Sequence, residues 1–525
     1  MRLSLPRRAA TALTASSLAL ALTLAVAPVA ADDTDPAPPD GVGLPPVPAV
    51  AGLPIVSLPT DLLVPQFLGA PARERPIKHP RIAQAPTLAE NGRSSMHNDA
   101  YSSDAYQVSG PLGRDLQVTS ASYGIRECAT MTFDRRGRIQ ALCGGLEGFV
   151  MMLIDPDTLE PLAQLETSRR DLSSGANPFT DICGGTYFYL DHRDRALVTT
   201  NTGELWEIVQ TPGPGLKRTR SWDVLAGLPE DDCVVAVTPD WKGRDWFFTQ
   251  GGYAGTLDRK TGKVRTVRLK RPKGPVEGIF NSVSADETGA VYAVSTHATY
   301  RLDAGRRGKP RITWRLRYDR GSEQKPGMLS QGSGTTPTLI GKRWLVIADN
   351  ADPRTQILAI DRRPGVPRKR RLHCRVPVLP SGASTTENSL VAAGRSVMIE
   401  NNYGYTGPAS TIGRSTTPGF ERVLIRPRGK CRVAWRSKEI APTSVPKASV
   451  GNGLVYAYTK PEGAETFDAW YLTAIDIRTG NTAWSQLTGT GSQWNNHYAA
   501  IYLGPDGAAY IATMTGLIRF QDGDR

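Results

Sequence analysis

An all-β chain closed into an eight-bladed β-propeller of four-stranded blades is the architecture this sequence predicts, with seven blades as the alternative. Three observations carry it. A loose phrase of polar start, short apolar strand, Gly/Asp turn, second β-rich strand and polar loop returns eight times between Cys128 and the C-terminus. Its period of about fifty residues lies in the range of propellers and arrays. The β-branched and aromatic runs are broken by Gly, Asp, Asn and Pro without long helical periodicity, which excludes a helical solenoid.

The copies follow in order. The first (127–145) sets its strands on either side of a turn holding Asp134 and Gly137, and the second (179–203) turns at Asp191 to Asp194. The third (231–252) and fourth (280–297) turn at Asp240 to Gly243 and Asp286 to Gly289. The fifth (335–352) and sixth (386–402) turn at Gly341 and Gly394, the seventh (444–461) at Gly451 to Gly453, and the eighth (496–516) at Gly504 to Gly507. The eighth ends at Arg525 with room for three strands, so a segment near 115–123 is expected to complete that blade and tie the two ends of the chain together.

Ahead of the repeats, residues 1–31 read as a cleaved Sec-type export signal: Arg2, Arg7 and Arg8, then an Ala/Leu-rich run, then small residues before Asp32. Residues 32–80, rich in Pro and Ala, read as a flexible linker, leaving 81–525 for the propeller. No later stretch is apolar for the about 20 residues a membrane span needs. The mature chain is therefore expected to be secreted. Six cysteines in an exported chain favour disulfides. Cys128 and Cys143 flank one turn symmetrically, Cys183 and Cys233 begin successive inner strands, and Cys374 and Cys431 fall in successive outer strands.

The formal charge is +13, or +10 without the three signal arginines. The excess clusters in 259–273, 301–320 and 362–375, with eight, eight and seven basic residues, after the second strands of three neighbouring copies. Such a sector suits an anionic cell-wall polymer. Export and the absence of interleaved aromatics argue against nucleic acid.

In a propeller the starts of inner strands and the loops after second strands converge on one mouth of the channel. Here those positions are acids, amides and histidines. Glu127, Asp232 and Glu387, with His297 or His497, are candidates for acid–base catalysis. Glu277, Asn281, Asp349 and Asn350 offer the oxygens a hard cation such as Ca²⁺ takes. Asn401, Asn496, Tyr403 and Trp494 would contact a small polar or sugar-like ligand. The segment 96–106, with a doubled Asp-Ala-Tyr, contributes His97 and Asp99 to ligand binding as a lid over the mouth.

Residues 472–489, with Ala474, Asp476, Thr479-Gly480 and Trp484, resemble the tryptophan-docking phrase of quinoprotein alcohol dehydrogenase-like propellers. That resemblance implies an exported eight-bladed oxidoreductase holding pyrroloquinoline quinone (PQQ) and Ca²⁺ near the axis. The chain lacks that family's vicinal cysteine pair and has no haem motif. Residues 277–295 are similar to the Asn-bearing repeat of gluconolactonase and paraoxonase-type propellers, which implies a Ca²⁺-dependent hydrolase, lactonase or lyase with Glu277 and Asn281 at the metal. As a whole the chain also resembles a group of uncharacterised secreted actinobacterial propellers, through 96–106, GSGTTPTL, ADNADP and ENNYGY, which implies no activity. A non-catalytic scaffold at the cell wall is the third expectation.

Overall fold

The computed structural model describes residues 52–170, 177, 180–184, 186–270, 276–428 and 430–523. The expected export signal and the start of the linker lie outside them.

Eight antiparallel sheets are arranged as blades. Blade 1 runs Arg126–Phe133, Ile139–Gly145, Gly148–Ile154 and Pro161–Arg169, from the channel outward. Blades 2 to 7 repeat the order, with inner strands Tyr189–Leu190, Val234–Pro239, Ser284–Ala285, Thr338–Ile340, Val391–Ala393 and Lys447–Ser449. Blade 8 takes Ile501–Leu503, Ala509–Thr513 and Gly516–Gln521 from the C-terminal end. Its outer strand is Gln117–Ser122, paired antiparallel from Gln117 with Gln521 to Ser122 with Gly516. That is the expected closure.

The repeated Asp turn explains why the copies fold alike. Asp134, Asp191 and Asp240 each accept backbone N–H bonds from two and four residues ahead and pair with the arginine at i+4. Between blades, tryptophans dock on the Thr-Gly turns. The Trp435 indole of blade 6 donates to the Ile477 carbonyl at 2.9 Å and lies so close over Gly480 (φ +78°) that a Cβ there would fall 2.5 Å from the ring. Trp484, the tryptophan of the recognised phrase, is fully buried between blades 7 and 8.

All six cysteines are paired, as Cys128–Cys143, Cys183–Cys233 and Cys374–Cys431. The last two bonds cross-link neighbouring blades. Among the described residues no helix is long and apolar enough to cross a membrane.

Two N-terminal segments differ from expectation. Where a featureless linker was expected up to residue 80, Phe67–Gly69 adds an outer strand to blade 7. Arg75 and Ile77 then donate to Asn452 and Val450 as the chain crosses the turns of that face. The segment 93–106, of which 96–106 was expected as a lid over the mouth, is buried inside the channel at the opposite end. Its carbonyls accept the inner-strand N–H groups of six blades: Arg93 from Phe133, Ser94 from Leu190, Ala100 from Ala285, Tyr101 from Leu339, Ser103 from Ala392 and Asp104 from Ala448, at 2.7–3.3 Å. Left-handed backbone at Asn98, Ser102 and Asp104 (φ +57°, +48° and +54°) lets the carbonyls fan outward. The segment is a plug.

One ion pair anchors it. The Lys447 ammonium on the blade 7 inner strand pairs with Asp104, both side chains 0% exposed, and donates to the Met96 carbonyl at 2.6 Å. Lys447→Met strands a buried carboxylate and is expected to lower the unfolding free energy in urea by about 3–5 kcal/mol. Adding Asp104→Asn should restore part of that loss.

The basic clusters are only partly outward. Arg259 pairs with Asp245 at 3.0 Å, Arg301 with Asp303 at 2.9 Å and Arg315 with Glu277 at 2.9 Å. Buried Arg362 is held by Asp286. Arg363, Arg368, Lys369, Arg370 and Arg375 remain exposed.

Candidate functional site

Above the plug, on the face where inner strands begin, lies an axial cavity of about 140 Å³. A single water needs about 10–15 Å³, so the space holds several waters or one small molecule. Of the sequence candidates, it brings together Glu127 (blade 1), Asn281 (blade 4), Glu387 (blade 6), His497 (entering blade 8) and His97 (plug). Thr336, Asn388, Ser389, Tyr187 and Tyr498 join them, with an apolar side of Ile125, Leu146, Phe149, Leu329 and Val445.

Glu387 is enclosed. One carboxyl oxygen accepts the Leu329 N–H at 3.0 Å, while Oε1 has no partner among the described residues. Burial pushes its pKa up to about 8. Burial likewise pushes Glu127 well above the usual carboxylate range, and its Oε1 is also without a partner. Glu400 sits behind Asn388, whose amide donates to it, and a second amide bond comes from Asn402 at 3.1 Å. Burial raises its pKa to about 8. At neutral pH Glu387 and Glu400 are therefore carboxylic acids that can donate hydrogen bonds and protons. The Tyr405 hydroxyl meets His497 Nδ1 at 2.9 Å and Asn495 Oδ1 at 3.2 Å.

Beneath them, His97 Nδ1 lies 3.1 and 3.2 Å from the two oxygens of Asp104 and 3.0 Å from Ser389 Oγ. Its Nε2 lies 3.3 Å from Thr336 Oγ1. Burial alone would raise the Asp104 pKa, but Lys447 and His97 outweigh it and hold the group below its ordinary value.

Several other candidates lie away from the cavity. Asp232 is consumed by its own loop, accepting from Thr249 Oγ1 at 2.6 Å, Gly251 N at 2.6 Å and Cys233 N at 2.8 Å. Glu277 serves Ser295, Tyr300 and Arg315 between strands of blade 4. Asp349 caps Ala351 and Gln356 and lines a separate groove between blades 4 and 5, where burial raises its pKa to about 7. The Asn350 amide donates to the Arg320 and Glu323 carbonyls. His297 Nδ1 meets Thr296 Oγ1 at 2.9 Å, and burial with Arg320 nearby lowers its pKa. Asp99 folds back on Tyr101 and Ser103 inside the plug, where burial raises its pKa to about 7. Asn401 accepts from Thr385 and Tyr403. Trp494 packs over Gly489 in the blade 7 and 8 core, and Asn496 donates to the Ala512 carbonyl.

Sequence reasoning missed Glu400 and Ser389. Glu400 ends the fully buried strand Ser396–Glu400 just before Asn401-Asn402, and an acid closing an apolar run was the available signal. Nothing marked Ser389.

The cavity's own electrostatics limit what it holds. Arg170, at the rim, is paired with Asp181 at 3.2 Å and lies over the Phe149 ring. Among the described residues, the one place where three His, Cys, Asp or Glu ligand atoms lie within 4.8 Å of one another is His373 with Cys374 and Cys431, and those cysteines form a disulfide.

No protein-family model matches the chain. An uncharacterized protein of Archaeoglobus fulgidus is 28% identical over 322 residues, 55% of this chain. The chain spans 61% of that relative's length. Among solved structures, quinohemoprotein alcohol dehydrogenase from Comamonas testosteroni superposes with a TM-score of 0.56 at 13% identity, covering 84% of this chain and 81% of its own. A europium-containing methanol dehydrogenase gives 0.51 at 12%, covering 82% and 91%. The chain is thus an eight-bladed propeller with the fold of the quinoprotein dehydrogenases. At these identities the likeness concerns the fold alone.

Because folded Glu387 and Glu400 hold protons that the unfolded chain releases near pH 4.5, their contribution to stability is full below that pH and is lost as pH rises to about 8. The double variant Glu387→Gln/Glu400→Gln should lack this decline. Urea unfolding at pH 5 and pH 9 is expected to show the variant gaining roughly 8 kcal/mol on wild type between the two, about 4 kcal/mol for each carboxyl.

Proposed function

We propose that the axial cavity is the active site of an extracytoplasmic hydrolase or lyase acting on a small, neutral, sugar-like molecule, with Glu387 as proton donor. The observation that carries this reading is the pair of cavity-facing carboxyls, Glu127 and Glu387, each with a partnerless oxygen and each with its pKa raised by burial, Glu387 to about 8. An acid titrating near 8 is charged with its proton at neutral pH and gives it up readily, which suits general acid catalysis. Neutral acids, the Asn281 and Asn388 amides and the Tyr498 hydroxyl suit a ring bearing hydroxyls, while the apolar side suits its C–H face. Three disulfides support a place outside the cytoplasm.

Quinone chemistry is the second reading, favoured by the fold. PQQ is a tricarboxylate, and among the described residues the lining offers it no cation except the rim arginine, which is already paired with Asp181. The cavity is also well below the about 300–1,000 Å³ of pockets for larger ligands. The residues do not fit that group, and among the described residues no three carboxylates of the cavity converge as they would on a resident Ca²⁺.

Hydrolysis of glucono-δ-lactone followed by pH-stat tests the proposal. Turnover above background is expected, falling as pH rises through about 8 as Glu387 loses its proton. Glu387→Gln should lower kcat by about 10²–10⁴-fold. Activity unchanged in that variant, or dye reduction requiring added quinone, would overturn the reading.

A further inference from the structure

With Glu387 as the acid, the site needs a proton acceptor, and the plug supplies the geometry for one. His497 Nδ1 is engaged with the Tyr405 hydroxyl. His97 is different. Its Nδ1 faces both oxygens of Asp104, which the fully buried Lys447 keeps ionised, so the Nδ1 proton is donated to that carboxylate. Nε2 is then left as the acceptor, and the hydroxyl within its reach is Thr336 Oγ1 at 3.3 Å. Nucleophile–base contacts of this kind are 2.6–3.2 Å and commonly looser before substrate binds. Ser389 approaches the protonated nitrogen, which has no lone pair to accept its proton.

We propose that Asp104, His97 and Thr336 form a nucleophilic relay that makes the axial cavity an acyl-transfer site for small esters and lactones. The proposal rests on the reading of that cavity as an active site. Asp104 is a positioning residue in it, and His97 and Thr336 face the cavity. Thr336 Oγ1 attacks the substrate carbonyl carbon while its proton passes to His97 Nε2. The carbonyl carbon's bond to the leaving oxygen breaks, and that oxygen takes the proton of Glu387, which lines the same cavity. A water then attacks the acyl group and gives its proton back to the Glu387 carboxylate. As the Oγ1–C bond breaks, Thr336 Oγ1 recovers its proton from Nε2. Nothing is oxidised or reduced.

The test is covalent labelling of the full-length protein with a β-lactone probe, read by intact mass and peptide sequencing, beside calorimetric titration with glucono-δ-lactone. One acyl equivalent on Thr336 is expected. Thr336→Val, which keeps the side chain's shape, and His97→Gln should each reduce labelling at least 100-fold. Circular dichroism and melting confirm folding, and Thr336→Val keeps the test open should the plug variant fail to fold. Labelling confined to Ser389, or no adduct on wild type although it binds lactone in a Glu387-dependent way, overturns the relay and leaves the axial site standing. Absence of both adduct and lactone binding overturns the two together.

Discussion

Everything in this molecule leans on the need of the short inner strands for backbone partners. In six blades an inner-strand N–H points into the channel, and a buried donor left unpaired costs about 1–3 kcal/mol. A single segment, 93–106, meets that demand with carbonyls fanned around the axis. The ion pair between Asp104 and Lys447 fixes its position, and the same carboxylate aligns His97. A structural solution to one problem thereby becomes the floor of the axial cavity.

The plug also sets the cavity's electrostatics. By closing one end it separates Glu127, Glu387 and Glu400 from bulk water, and burial then favours their neutral forms. The partnerless oxygens of these acids are a cost to folding that nothing in the described structure offsets locally. Strain and unsatisfied groups of this kind concentrate at functional sites. The remaining acids illustrate the contrast: Asp232 and Glu277 are just as buried, yet every bond they make serves the fold.

Much of this was legible from sequence because it is local or periodic. The Asp turns, the order of strands, the closing strand within 115–123 and the placing of the cysteines on facing or successive strands follow from the repeat, while the three pairings themselves come from the structure. So does the meeting of Glu127, Asn281 and Glu387 at one mouth, since equivalent positions in a circular array converge. What was not legible is non-local. The plug's partners are backbone groups hundreds of residues away, and composition makes 96–106 look like a surface element. The segment 52–80 looks featureless for the same reason, although Phe67–Gly69 extends a sheet. Whether an acid faces the axis or its own loop depends on a single strand-end register, which separates Glu387 from Asp232. The arginine clusters read as an outer sector because their buried partners, such as Asp245 for Arg259 and Asp286 for Arg362, lie in other blades or earlier strands.

The central claim is that the axial acids are protonated at neutral pH within a cavity sealed by the plug. Infrared difference spectroscopy of the carboxyl C=O stretch across pH 6 to 10 tests it most directly. Beyond the protonated-carboxyl signal shared with Glu387→Gln/Glu400→Gln, wild type is expected to carry an additional band that is present at pH 6 and fades as pH rises through about 8. Carboxyls already ionised at pH 6, with no difference between wild type and variant, would contradict it.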